Sequence, residues 1–204
     1  MDLLAVSPPR YLQHEARWIE RLLGAGLHRY HLRKPGWPLA AVRDLVAELP
    51  EAVRRGVVLH QCYRLVEPYG LAGWHLRDRS GTGRAYQLLR KAGTPAERLS
   101  RSVHSIQNLL QSLEGYAYGI LSPIFPSFSK PGHGPSWSES ALRAALKSEH
   151  ASGPTAKVYA LGGISTERLA HCRDLGFAGV VLHGALWEAA DPVAYLKTFQ
   201  KGQR

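Results

Sequence analysis

Short apolar runs alternate along this chain with stretches in which apolar residues recur every three or four positions. The runs read as buried strands and the periodic stretches as amphipathic helices. Leu3 to Val6 is a first strand, followed by a helix with Trp18, Ile19, Leu22 and Leu23 on one face. His28 to Leu32 is a second strand. Pro38 then stands at the first position of a helix, where no intrahelical N–H bond is needed, with Val42, Leu45, Val46 and Leu49 at helical spacing. Gly56 to His60 and, after a short connection, Ala72 to Leu76 are the third and fourth strands. Leu99 to Val103 is the fifth, and Ser105 is placed to cap a helix through Ile106, Leu109 and Leu110. Tyr116 to Leu121, Lys157 to Leu161 and Gly179 to Leu182 complete the strands, and a last helix runs from about Pro192 to Phe199.

The turn after the seventh strand carries the fullest local signal. Ser165 is expected to cap the helix that follows, with Ile164 and Leu169 spaced as a hydrophobic staple. Leu169, Cys172 and Leu175 line its inner face, which makes Cys172 a core residue, and Gly176 ends it. Eight strands alternating with helices predict a parallel sheet. A repeat of about 25 residues suits a single (β/α)8 TIM barrel, whereas an open doubly wound sheet is ordinarily built from fewer units. No internal linker or low-complexity stretch interrupts the pattern, so residues 1–200 are expected to form one barrel domain, with residues 201–204 as a loose tail.

Composition narrows the function classes. With 204 residues, 45% of them apolar, the chain can bury one good core and is short for two. No apolar run is long enough to span a membrane, and the start MDLLAVSPPR lacks the pattern of a signal peptide. Cys62 and Cys172 fit no zinc or redox spacing, so a reduced, cytoplasmic setting is expected. The formal charge of +10 favours anionic partners. Its arginines form no stripe interleaved with aromatics, which turns the expectation from nucleic acid to phosphorylated small molecules. A homo-oligomer is compatible with all of this.

In a TIM barrel, ligands bind beyond the C-terminal ends of the strands, and phosphate often sits beside the loops after strands seven and eight. The first of these loops is Leu161-Gly162-Gly163-Ile164-Ser165, whose glycines let the backbone approach an anion at a helix start. The second is Leu182-His183-Gly184-Ala185-Leu186. After strand six comes SPIFPSFSKPGHGP (122–135), a proline-stiffened loop carrying Ser127, Ser129 and Lys130, two hydroxyls and a point charge suited to phosphate. His31 and Arg33 follow strand two, His60 and Gln61 strand three, and Ser102 and His104 lie around strand five. Histidines at such ends can move protons near neutral pH. Arg79 to Arg84 is glycine-rich but lacks the ending of a P-loop and reads as a plain loop.

These stretches carry a resemblance. HLRKP (31–35), RSVHS (101–105), SPIFPSFSKPG (122–132), ALGGIS (160–165) and GVVLHGAL (179–186), in this order, resemble the thiamine phosphate synthase and TenI family over nearly the whole chain. The resemblance implies a (β/α)8 barrel of thiamine biosynthesis. In the synthase, hydroxymethylpyrimidine diphosphate loses pyrophosphate, and a thiazole phosphate captures the resulting cation. Carried across, Arg33, Ser102, Ser127, Ser129 and Lys130 match the positions that hold the diphosphate. Gly163 and the His183-Gly184 turn match the thiazole-phosphate cup.

The departures point to chemistry without magnesium. The family's lysine after strand two falls on Pro35, with Lys34 one position early, and its two magnesium carboxylates fall on Gln61 and Ser80 with Asp78 nearby. An amide and a hydroxyl are poor ligands for a hard dication. TenI-like tautomerases need no metal, yet their histidine after strand six falls on Pro123. The leading expectation is therefore a thiazole-phosphate-binding protein with metal-independent proton transfer. Arg33, Lys130, His104 and His183 are its catalytic candidates; His31, Ser102, Ser127, Ser129, Lys130, Gly162, Gly163, His183 and Gly184 are its binding candidates. No cofactor is expected, and Mg2+ only under the alternative of true synthase activity. A non-catalytic sensor or regulatory barrel is the third reading.

Overall fold

In the computed structural model, residues 1–77, 82–111, 113–126, 137–151 and 157–202 are described. Eight parallel strands close into a barrel in sequence order, β1 (Asp2–Val6), β2 (Arg29–Leu32), β3 (Val57–Leu59), β4 (Gly73–Leu76), β5 (Leu99–Val103), β6 (Tyr118–Leu121), β7 (Lys157–Leu161) and β8 (Gly179–Leu182). Helices intervene: α1 (Glu15–Gly24), α2 (Leu39–Ala47), α3 (Glu51–Arg54), α4 (Thr82–Lys91), α5 (Ile106–Gln111), α6 (Glu139–Ala151), α7 (Leu169–Leu175), α8 (Gly184–Glu188) and α9 (Pro192–Lys201). The fold is the expected (β/α)8 barrel. Among the described residues, no helix is long and apolar enough to cross a membrane.

The chain divides into two compact units. One comprises Asp2–His75 and Leu182–Arg204. Within it, β1 pairs with β2, β2 with β3 and β3 with β4, so that His31 stands opposite Val58, and Leu59 opposite Trp74. Ile19 and Leu22 of α1, Val42 and Val46 of α2, and Leu196 and Phe199 of α9 are buried, as the helical spacing requires. Asp191 caps α9 by accepting from the N–H groups of Val193 and Ala194. Pro38 is the N-cap of α2 rather than its first residue, a shift of one position.

The other unit comprises Met1 and Leu76–Val181, with β5, β6, β7 and β8 paired in order. Leu142 and Leu146 of α6 and Leu169, Cys172 and Leu175 of α7 are buried. Burial pushes the Cys172 thiol up to about 11, as befits a core cysteine. Gly176, at φ +103°, ends α7 in the left-handed conformation. The Ser105 hydroxyl accepts from the Asn108 N–H at 3.0 Å, the expected cap of α5.

Two expectations need correction here. Thr82 to Arg84, read as the end of a plain loop, open α4. Ser165 makes no side-chain cap: a short 3-10 turn, Thr166–Arg168, precedes α7. The Ser165 hydroxyl instead serves the Glu167 carboxylate, which it holds down to about 2 together with the Glu167 N–H and the Thr166 hydroxyl. The hydroxyl turns toward a carboxylate two residues on instead of accepting from an N–H of the helix start.

Candidate active site at the strand ends

Beyond β1 and β2, the Ser7 hydroxyl fixes the main chain of the HLRKP stretch. The Arg33 N–H donates to Ser7 Oγ at 2.8 Å, and that hydroxyl donates to the Arg33 carbonyl at 3.0 Å. Arg33 is half-buried, but Lys34 turns fully inward. Its ammonium lies 2.5 Å from Glu15 Oε2 and donates to the carbonyls of Pro8 (2.8 Å) and Arg10 (2.9 Å), above the Trp37 ring. The Tyr30 hydroxyl donates to the other Glu15 oxygen at 2.9 Å. Burial pushes the Glu15 carboxyl up and the Lys34 ammonium down, each opposed by their mutual attraction. Lys34 is therefore a structural cation, engaged with Glu15 and two carbonyls. An open cleft of about 580 Å³ lies nearby, lined by Tyr11, His14, Trp37 and Asp44; no histidine of β2, β3 or β4 lines it.

Three imidazoles meet in the same unit. His31 Nδ1 is 3.0 Å from His60 Nε2, and His75 of β4 joins them, its ring stacked on His60 at 4.1 Å. All three are buried. Desolvation, with a smaller push from Arg29, lowers His31 to about 3, so it is neutral at pH 7. The carboxamide of Gln61, next in sequence, has a buried oxygen and nitrogen with no hydrogen-bond partner among the described residues. His183 is the half-buried N-cap of α8, its carbonyl accepting from Trp187, and Gly184 opens that helix.

In the unit holding β5 to β8, the ends of β5, β6 and β7 converge on residues 122–126. His104 is exposed, with Nδ1 3.0 Å from the Ser122 carbonyl and 3.2 Å from its hydroxyl. A bond to the carbonyl requires Nδ1–H, leaving Nε2 as the basic nitrogen of the neutral ring. Ser102, on β5, is half-buried. On the other side of the segment, Ile124 N–H donates to the Leu161 carbonyl (3.0 Å) and Phe125 N–H to that of Gly162 (3.2 Å). Gly162 and Gly163 have φ of +103° and +61°. A Cβ on Gly163 would stand 2.6 Å from the Pro126 carbonyl oxygen. Gly163→Ala is therefore expected to lower stability by roughly 1–3 kcal/mol, checked by urea denaturation of the two proteins.

Arg168 was not anticipated. Its guanidinium donates to the Gly163 carbonyl at 2.5 Å and lies over the Phe125 ring, putting a cation at the glycine turn. The signal was an arginine five residues beyond that glycine, on the first turn after the loop. His75 was also missed, although it is the one polar side chain in the otherwise apolar strand Gly73-Trp74-His75-Leu76. Ser127, Ser129 and Lys130, the magnesium position Ser80 and the nearby Asp78 lie outside the described residues.

Residues 3–186 match the family described as thiamine monophosphate synthase. The chain belongs to this family. It is 30% identical to the thiamine-phosphate synthase of Yersinia pestis over 178 residues, covering 85% of this chain and 80% of that one. The solved thiamine phosphate pyrophosphorylase of Bacteroides thetaiotaomicron is 28% identical, covers 100% of this chain and 98% of its own, and superposes with a TM-score of 0.76. That of Pyrococcus furiosus, at 15% identity and the same TM-score, shares the fold. For this family member, magnesium would need oxygen ligands. The β3 end offers an amide, and the only cluster of three or more metal-ligating side chains among the described residues is the imidazole triad. Nitrogen donors do not suit that hard ion.

Proposed function

We propose that this chain binds a thiazole phosphate and moves a proton on its ring, with His104 as base and then acid and with no magnesium in the step. The supporting observation is the segment 122–126, which has the oriented His104 imidazole on one side and the Gly162-Gly163 turn on the other. Pro123 stands where the resemblance puts a tautomerase histidine, and His104 brings an imidazole to the adjacent residue. Its Nε2 takes a proton from one ring carbon, and the imidazolium returns it to another carbon of the same conjugated system. The product is an isomer, so no oxidant or leaving group is needed. The Gly162-Gly163 amides and Arg168 hold phosphate oxygens, and Ser102, Ser127, Ser129 and Lys130 keep the anion-binding positions that the resemblance gives to a diphosphate. Arg33, His183 and Gly184 keep the binding roles that the resemblance implies.

The second reading is thiamine phosphate synthesis, favoured by the names of the curated relatives. Supplying thiazole phosphate together with hydroxymethylpyrimidine diphosphate separates the two. The proposal expects tight thiazole phosphate binding by calorimetry and no coupled product at any magnesium concentration. Magnesium-dependent formation of thiamine phosphate would favour the synthase instead.

A further inference from the structure

We infer that His31, His60 and His75 form a binding site for one transition-metal ion of the zinc class. Each offers one ring nitrogen, and the three nitrogens lie within 4.8 Å of one another. A tetrahedral ion with bonds of about 2.0–2.1 Å separates neighbouring ligand nitrogens by roughly 3.3 Å, so modest ring movements complete the set. His60 and His75 stack at an angle of 27°, and His31 meets both nearly edge-on, at 77° and 80°. The rings come from β2, the end of β3 and β4, neighbouring strands whose hydrogen-bonded registers hold the backbone positions. Rigid elements of this kind keep a ligand set in place.

Donor chemistry selects the ion. Three imidazole nitrogens favour zinc, copper, nickel or cobalt over magnesium or calcium. Three protein ligands also leave a fourth coordination position for water or a small ligand. The Gln61 carboxamide, adjacent in sequence to His60, adds an independent sign: its buried polar atoms have no hydrogen-bond partner among the described residues. Buried polar atoms are rarely left this way, and an ion, a water or a ligand is one kind of partner that satisfies them. The site is independent of the proton-transfer proposal, which uses other residues.

The 3.0 Å contact between His31 and His60 also suits a metal-free hydrogen bond, so the experiment must separate the two. The full chain, free of any polyhistidine tag and stripped with a chelator, is titrated with Zn2+ or Co2+ against a chromophoric competitor. One ion per chain is expected, with the intense visible absorption of four-coordinate cobalt. His75→Ala is expected to weaken binding at least about 100-fold. His171→Ala, at a half-buried imidazole 3.3 Å from Glu139 and outside the triad, leaves binding unchanged. Lack of stoichiometric binding, or binding that survives His75→Ala or is lost in His171→Ala, overturns the inference. Should His75→Ala fail to fold, nitrogen-15 spectra of the wild-type imidazoles decide. Zinc-induced shifts confined to three histidines support the site, and unchanged spectra refute it.

Discussion

His104→Ala slows proton exchange on the thiazole ring by about 10²–10⁴-fold, the range ordinarily lost with a general base. Affinity for thiazole phosphate stays within about threefold, because the imidazole acts on the reacting carbon and the phosphate is held elsewhere. His104→Asn sharpens the comparison: its amide can still donate to the Ser122 carbonyl that His104 now meets at 3.0 Å, but it cannot accept a ring proton. The asparagine variant is therefore as slow as alanine, and added imidazole partly restores exchange in the alanine variant alone. Deuterium uptake by mass spectrometry, beside calorimetric binding, reads both quantities. Equal losses of binding and exchange would make His104 a binding residue.

Lys34→Ala lowers stability by about 3–5 kcal/mol, since it strands the Glu15 carboxylate in a buried site from which its cation has gone. Chemical denaturation measures the loss. The double variant Glu15→Leu, Lys34→Met recovers most of it, because two apolar side chains of similar volume remove both charges at once. Where Lys34→Ala remains folded at low temperature, it keeps its affinity for thiazole phosphate. A selective loss of that affinity with little change in stability would return Lys34 to the ligand-binding role that its neighbour Arg33 is proposed to fill.

The contrast between these lysine and histidine predictions reflects what a sequence pattern can carry. Strand and helix periodicity follows from which faces are buried, so the eight strands, the core position of Cys172 and the stop at Gly176 were legible. The orientation of a single hydroxyl was not: nothing in Ser165-Thr166-Glu167 reveals that it will turn to the carboxylate and leave the helix start without a side-chain cap. Nor does HLRKP disclose which of two adjacent cations turns inward, since that depends on Glu15, nineteen residues earlier in the chain. His31 and His60 stood out as polar strand ends, but their meeting with His75 is set by strand register, a property of the assembled sheet. Arg168 belongs to the same class, its partner being a main-chain carbonyl that no residue type marks.

The most direct measurement follows deuterium incorporation into a carboxylated thiazole phosphate in heavy water, with purified protein and with magnesium varied as the only other component. The account predicts catalysed exchange at a rate indifferent to magnesium. An absence of exchange, or exchange that appears only as magnesium is added, contradicts it.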